Sequence, residues 1–299
     1  MQKNLFFIVG VGRSGTTLIR LMLNSHPDVA IPYETHFITN YIGQLDQYGP
    51  LSVASNLDRL IGDLLKEDLL SKWDKVPTLE EVKAQLGSNP TLSDVIDAIY
   101  VCYARAHGKK YWGDKSDYLD RMHDINALFP NTKFIHIVRD GRDVAQSVLK
   151  MDWGPNDIIE AAEWWRDHVR LGRCMGKMLP PDRYMEIRYE DLVLDTESNL
   201  RRICDFLGIP YADKMLEYHK SSQALIPTDR SSQHYNADAP PIASRTYAWK
   251  TSMDKTSVAL FDKYAKTQLK AFGYEANVTP VSGWKLRLAS LKVLLKRMF

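Results

Sequence analysis

Cysteine is scarce: the 299 residues hold only Cys102, Cys174 and Cys204, far apart and with no CxxC pair. That excludes a disulfide framework and a zinc ribbon, and it suits a reducing compartment such as the cytoplasm. No apolar run approaches the ~18 residues of a membrane span. A dominant charge is also missing. Thirty-nine basic residues against 37 acidic leave +2, too even a balance for a general nucleic-acid binder. There is no internal repeat and no low-complexity tract, and Met1-Gln2-Lys3-Asn4 leads straight into a strand-like run, so no secretory signal is expected. What is present, 44% hydrophobic and 25% charged residues, is the composition of a folded globular protein able to bury its own core.

Leu5-Phe6-Phe7-Ile8-Val9 is a short apolar run stopped by Gly10, as expected of a strand buried on both faces. After Gly10–Gly15, residues Thr17 to Leu23 have helical apolar spacing that ends near His26-Pro27. Residues 50–110 read as a helical insertion, with Leu57, Leu60, Ile61, Leu64 and Leu65 at helical spacing and a capping box at Thr78–Glu81. Lys133–Val138 is a second strand followed by a helix over 143–150. Arg183–Ile187 is a third, before a helix from Glu197 to Leu207 closed by Gly208. Residues 221–250 are polar and turn-rich, the pattern of a long ordered loop or lid. Residues 284–299 form a basic amphipathic helix, which fits an anionic membrane surface and equally fits packing on the body. Alternating strands and helices predict an α/β fold: one parallel sheet flanked by helices, in a single domain with helical insertions.

Gly10-Val11-Gly12-Arg13-Ser14-Gly15-Thr16-Thr17 nearly fits GxxxxGK[ST], with Thr16 where the lysine belongs. Its glycines allow backbone N–H groups to converge on an anion at a helix N-terminus. A P-loop kinase needs that lysine, with magnesium, to neutralise a triphosphate. Downstream, Arg139 at a strand end and Ser147 two helical turns on can face one phosphate, arginine through its planar fork. The competing reading makes Arg139, Asp140, Arg142 and Asp143 a solvated charge cluster at a helix start.

Together these segments resemble the sulfotransferases that use 3′-phosphoadenosine-5′-phosphosulfate (PAPS). Phe7–Leu18 is similar to their 5′-phosphosulfate loop and Phe134–Ser147 to their 3′-phosphate motif. Arg188-Tyr189-Glu190-Asp191-Leu192 with Leu200–Gly208 is a third match in order, and Trp249-Lys250 is a weaker echo. The likeness spans roughly residues 5–210 and implies a P-loop-like sulfotransferase domain over 1–275. It also implies PAPS as donor substrate, 3′-phosphoadenosine-5′-phosphate (PAP) as product, and no metal. By the same likeness Gly12, Arg13, Ser14, Gly15, Thr16 and Thr17 hold the 5′ phosphosulfate, Arg139 and Ser147 the 3′ phosphate, and Tyr189 lies near the adenine. Arg245 and Lys250 fold over the donor's phosphates. Arg13, where cytosolic members carry lysine, together with Glu34, is similar to the tyrosylprotein and bacterial carbohydrate-type branches.

Attack by an acceptor hydroxyl on sulfur needs a base at that hydroxyl and cations at the bridging oxygen. The resemblance places Glu34 on the catalytic glutamate of the tyrosylprotein branch and Lys115 on the cation that supports the sulfuryl group in transit, beside Arg13. His36 is the competing base, two residues from Glu34 and on the same face of an extended segment. Surface ion pairing for Glu34 and a solvated helix start for Lys115 are the bland alternatives. Trp153, Trp164, Trp165, Tyr33, Tyr41 and Tyr48 are available either to an acceptor pocket or to the core. The acceptor is expected to be a carbohydrate, glycolipid or other small-molecule alcohol; the alternatives are a peptidyl tyrosine acceptor and, from the glycine loop, a P-loop nucleotide kinase.

Overall fold

The computed structural model describes residues 5–220, 241–276, 282–284, 287–288 and 290–291. Five strands, β1 (Leu5–Val9), β2 (Val29–Ala30), β3 (Tyr111–Lys115), β4 (Lys133–Val138) and β5 (Tyr184–Arg188), form one sheet in the order β2-β3-β1-β4-β5. Every neighbouring pair is parallel. All five strands therefore end at the same edge, where open α/β sheets place their ligands.

Alternation along the strands builds two apolar layers. Phe7 and Val9 of β1, with Phe134 and Val138 of β4, pack on one face. Phe6 and Ile8, with Ile135 and Ile137, pack on the other. The second face is covered by α1 (Thr16–Asn24), through Ile19, Leu21, Met22 and Leu23, and by the later helices α9 (Tyr189–Leu194) and α10 (Thr196–Leu207). The first face is covered by α2 (Phe37–Ile42), by α3 (Ala54–Leu65), α4 (Leu79–Lys83) and α5 (Leu92–Ala106) within the helical stretch expected over 50–110, and by α6 (Met122–Leu128). Thr78 and Glu81 form the expected capping box, and Thr91 with Asp94 forms a second at the start of α5.

The helix expected over 143–150 is α7 (Gly141–Val148). It begins earlier because Asp140 accepts from the Arg142 N–H and caps it. Two helices went unread in the sequence, α8 (Ile158–Lys177) and α12 (Lys255–Ala271), which pack against each other and complete the first layer. Their apolar stripes are narrow: α8 buries Gly172 and Gly176 beside Trp165, and α12 buries Asp262.

Of the expected lid, 221–240 lies outside the described residues. The remainder is not a loose loop: Ala243–Arg245 is a 3₁₀ turn and α11 (Trp249–Ser252) a short helix. The Trp249 backbone N–H donates to Asp143 at 2.8 Å, and its indole N–H donates to Asp140 at 3.0 Å. Most of 284–299 also lies outside the described residues. Within it Trp284, Leu288 and Leu291 are exposed while Ser290 is buried and accepts from Lys263 at 3.1 Å.

Candidate active site

The turn after β1 is forced close to β4. A Cβ on Gly10 would sit 2.6 Å from the Ile137 carbonyl oxygen, so only glycine lets the chain leave the sheet here. Arg13 (φ 69°) and Gly15 (φ 98°) then both take left-handed conformations, a costly choice for arginine that persists only where its surroundings hold it. Gly15 caps α1 with no side-chain hydrogen bond. The first-turn amides of α1 thus end in a glycine turn with no acidic side chain near them, the arrangement that receives an anion.

The β4–α7 junction lies against that turn. Arg139 donates to the Arg13 carbonyl at 3.3 Å and to the Arg245 carbonyl at 2.9 Å, and its guanidinium lies 4.5 Å from the Tyr189 ring centre. The Arg13 Nε–H donates to Ser147 Oγ at 3.0 Å. The two segments that the sequence separates by more than a hundred residues form one concave surface. Arg139 Nε is buried and has no hydrogen-bond partner among the described residues, and a phosphate oxygen is a fitting acceptor for it. The donor set therefore fits a nucleotide carrying two separated anionic groups.

The neighbouring charges are not a solvated cap. Asp140, Arg142 and Asp143 are all buried. Arg142 donates to Asp140 through Nε at 2.9 Å and Nη2 at 2.8 Å, and to Asp262 at 3.1 Å. Glu190 accepts from the Asp140 N–H at 3.0 Å and from the Tyr274 hydroxyl at 2.8 Å. Burial pushes the carboxyl pKa of Asp143 up, and Arg139 at 3.9 Å pulls it back.

On the other side of β1, β3 ends at Lys115, whose ammonium donates to Glu34 at 3.0 Å. Neither belongs to a surface pair: the side chains are 12% and 24% exposed. Glu34 follows β2 through Ile31, Pro32 and Tyr33, a segment tied to α1 by the buried Arg20, which donates to the Pro32 carbonyl at 3.0 Å. Burial drags the Arg20 pKa down, and the nearby Glu34 opposes that shift. His36 stands at the start of α2, exposed. Ile31 and Phe37 on either side are core residues, and Glu34 is paired with a cation.

A cavity of about 1000 Å³ opens at this edge of the sheet, and Gly12, Arg13, Gly15, Thr16, Thr17, Glu34, His36, Lys115, Arg139, Ser147 and Tyr189 all line it. Two of the sequence candidates do not. Ser14 turns into the fold and is fully buried. Lys250 is exposed, its ammonium 5.1 Å from the Tyr247 ring centre, because Trp249 takes the inward position beside it. Arg245 and Ala248 line the cavity in its place.

Of the aromatic candidates, Tyr33, Trp153 and Trp164 reach the cavity, while Tyr41, Tyr48 and Trp165 belong to the core. His168, Tyr218 and Ile242 also line it without a sequence signal that singled them out. Among the described residues, no group of histidine, cysteine and carboxylate side chains could hold a metal ion.

A family model described as "Sulfotransferase family" matches residues 6–213, and the chain belongs to that family. It is 25% identical to protein-tyrosine sulfotransferase A of Caenorhabditis elegans over 293 residues, covering 92% of this chain and 68% of that protein. It is 28% identical to protein-tyrosine sulfotransferase 2 of Gallus gallus, over 73% of this chain and 55% of the relative. Its fold is shared by the sulfotransferase domain of the curacin biosynthetic pathway, with a TM-score of 0.61 at 21% identity over 92% of this chain and 99% of that one. The sulfotransferase domain of the Synechococcus PCC 7002 olefin synthase matches with a TM-score of 0.58 at 23% identity, over 91% and 96% of the two chains. This enzyme thus stands with sulfotransferases and not with the nucleotide kinases that its glycine loop alone allowed.

Proposed function

We propose that the protein transfers the sulfuryl group of PAPS to an acceptor hydroxyl. The observation that carries this reading is the joining of two anion-receiving turns, 10–17 and 139–147, in one cavity with the Glu34–Lys115 pair. The turn at α1, from Gly12 to Thr17, receives the 5′ phosphosulfate, and Arg139 with Ser147 receives the 3′ phosphate. Tyr189 sits under Arg139, where an adenine fits.

In the reaction the acceptor oxygen forms a bond to sulfur as the bond from sulfur to the bridging phosphate oxygen breaks. The proton of the hydroxyl passes to Glu34, and PAP leaves with the bond's electron pair. Lys115 and Arg13 stabilise the negative charge that gathers on the sulfuryl and bridging oxygens. Glu34 is favoured over the exposed His36 as base because it lies 3.0 Å from Lys115, the cation that would face the sulfuryl group. Turnover of Glu34→Ala and His36→Ala, measured beside PAP affinity, separates them. Full activity in Glu34→Ala removes it from the mechanism.

The acceptor is a hydroxyl on a carbohydrate, lipid-linked sugar or other small alcohol, entering past Trp153 and Trp164. The protein-tyrosine sulfotransferases among its relatives favour a second reading, a tyrosyl hydroxyl of a peptide. A labelled-donor screen across these acceptor classes decides between them.

The three thiols are all free, which supports a cytoplasmic setting. Among the described residues no helix is long and apolar enough to cross a membrane. The outward-facing Trp284, Leu288 and Leu291 support peripheral membrane contact through 284–299. Flotation of the full chain on anionic liposomes, against one stopped at Gly283, tests that contact; equal recovery ends it.

A further inference from the structure

Thr35 lies between Glu34 and His36, and each of its polar groups is held, the N–H and carbonyl by the turn after β3 and the hydroxyl by α5 and β3. Its N–H donates to Ser116 Oγ at 2.8 Å, just past β3. Its carbonyl accepts from the Tyr118 hydroxyl at 2.9 Å. Its hydroxyl meets the Tyr100 hydroxyl of α5 at 3.0 Å and Asp114 Oδ2 at 3.4 Å. Tyr100 in turn donates to Asp114. A tyrosine has one hydroxyl proton; with it committed to the carboxylate, the Thr35 proton points to Tyr100, and the chain of donors runs in one direction from Thr35 through Tyr100 to Asp114. Thr35, Tyr100, Asp114, Ser116 and Tyr118 are all buried. Tyr100 is further locked by stacking on Trp112, 4.2 Å between ring centres.

The partners are arranged about the reacting pair. Asp114 and Ser116 flank Lys115 on one chain, and Thr35 adjoins Glu34 on the other. Residues 31–33 are tied to α1 and to Trp73, and Thr35 ties the loop to the segment that carries Lys115. Asp114 also carries a cost that packing alone would not require: burial lifts its carboxyl pKa to about 6. The links that converge on Asp114 Oδ2 favour one geometry of the loop, while Asp114 Oδ1 has no hydrogen-bond partner among the described residues.

We propose that Thr35, Tyr100 and Asp114, with Ser116 and Tyr118, are positioning residues that set the approach of Glu34 to Lys115. The proposal deepens the reading of Glu34 as base and rests on it for its kinetic consequence. It does not rest on it for the structural one.

Two substitutions that keep shape but remove a link, Tyr100→Phe and Thr35→Val, are made beside Thr35→Ser, which restores the hydroxyl. Expected are a fall in kcat of about 10- to 100-fold in the first two, unchanged KM for PAPS and Kd for PAP, and near wild-type kcat in Thr35→Ser. A second readout does not use activity: the rate at which Lys115 is acetylated by a small anhydride, followed by mass spectrometry with Lys133 as internal reference. Release of the pair should raise Lys115 labelling severalfold in Tyr100→Phe and Thr35→Val only.

If the wild type transfers no sulfuryl group yet labelling rises as described, the positioning frame stands and the reading of the reaction falls. Unchanged labelling in both variants overturns the frame. So does a loss of kcat matched by an equal loss of PAP affinity, or one that Thr35→Ser fails to rescue.

Discussion

The two flanks of β1 solve different problems. On the β4 side, permanent charges are buried in compensating sets, Arg142 between Asp140 and Asp262 and Glu190 under the Asp140 N–H. On the β3 side Glu34 pairs with Lys115, and the loop that carries Glu34 is held through hydroxyls that end on the buried carboxyl of Asp114. A surface that only holds phosphate can be built from groups whose charge never changes. A carboxylate proposed to accept a proton is better held with few cations, because each positive charge nearby opposes its protonation. Hydroxyl links hold its loop without adding another cation.

This contrast is broken most severely by removing the base. Glu34→Gln should lower turnover about 10²- to 10⁴-fold while PAP binding, measured by calorimetry, stays within about twofold of wild type. An equal loss in both would merge the two flanks into one function. Next, Arg142→Ala leaves Asp140 and Asp262 buried without their cation. Urea unfolding should show a loss of about 3–5 kcal/mol, together with weaker PAP binding, since Asp140 caps the helix that follows Arg139.

His136 lies in β4, fully buried, its ring bonded to the Tyr184 hydroxyl at 2.6 Å. Burial lowers its pKa to about 4. The unfolded chain therefore takes up this proton first as pH falls, so the stability contributed by neutral His136 is complete above about pH 6.5 and is lost toward pH 4. Wild type should lose about 1.4 kcal/mol per pH unit in that window that His136→Gln does not. Parallel stability curves for the two proteins would contradict it.

The smallest effect separates two glycines of one loop. A Cβ at Gly12 meets the edge of the Trp153 side chain at 3.2 Å, whereas one at Gly10 meets backbone. Trp153 is 55% exposed and can yield. Gly12→Ala should cost less than about 1 kcal/mol by thermal unfolding, and Gly10→Ala about 1–3 kcal/mol.

The donor flank was legible because its parts are local. Strand, glycine turn and helix follow one another within residues 5–24, and Arg139, just past β4, lies eight residues from Ser147 on α7. Glu34 and Lys115 were also found, through likeness to known motifs. Their pairing was not, since 81 residues separate them. The frame around Thr35 was invisible for the same reason: Tyr100 reads as one apolar position of α5, and Tyr118 as a turn residue after β3. Lys250 and Ser14 were placed by motif alone, and neither side chain lines the cavity. At Trp249-Lys250 the indole fills the buried site beside Asp140, which leaves the lysine outside.

The central claim is that one nucleotide spans both anion-receiving turns, and its most direct test is a calorimetric cycle. PAP and adenosine 5′-phosphate, which differ by the 3′ phosphate, are titrated into wild type and Arg139→Ala. The account predicts that wild type binds PAP at least about tenfold more tightly, a difference of ~1.4 kcal/mol, and that Arg139→Ala removes most of this preference while leaving adenosine 5′-phosphate binding nearly unchanged. Equal affinity of wild type for the two nucleotides, or a preference that survives the loss of Arg139, would contradict it.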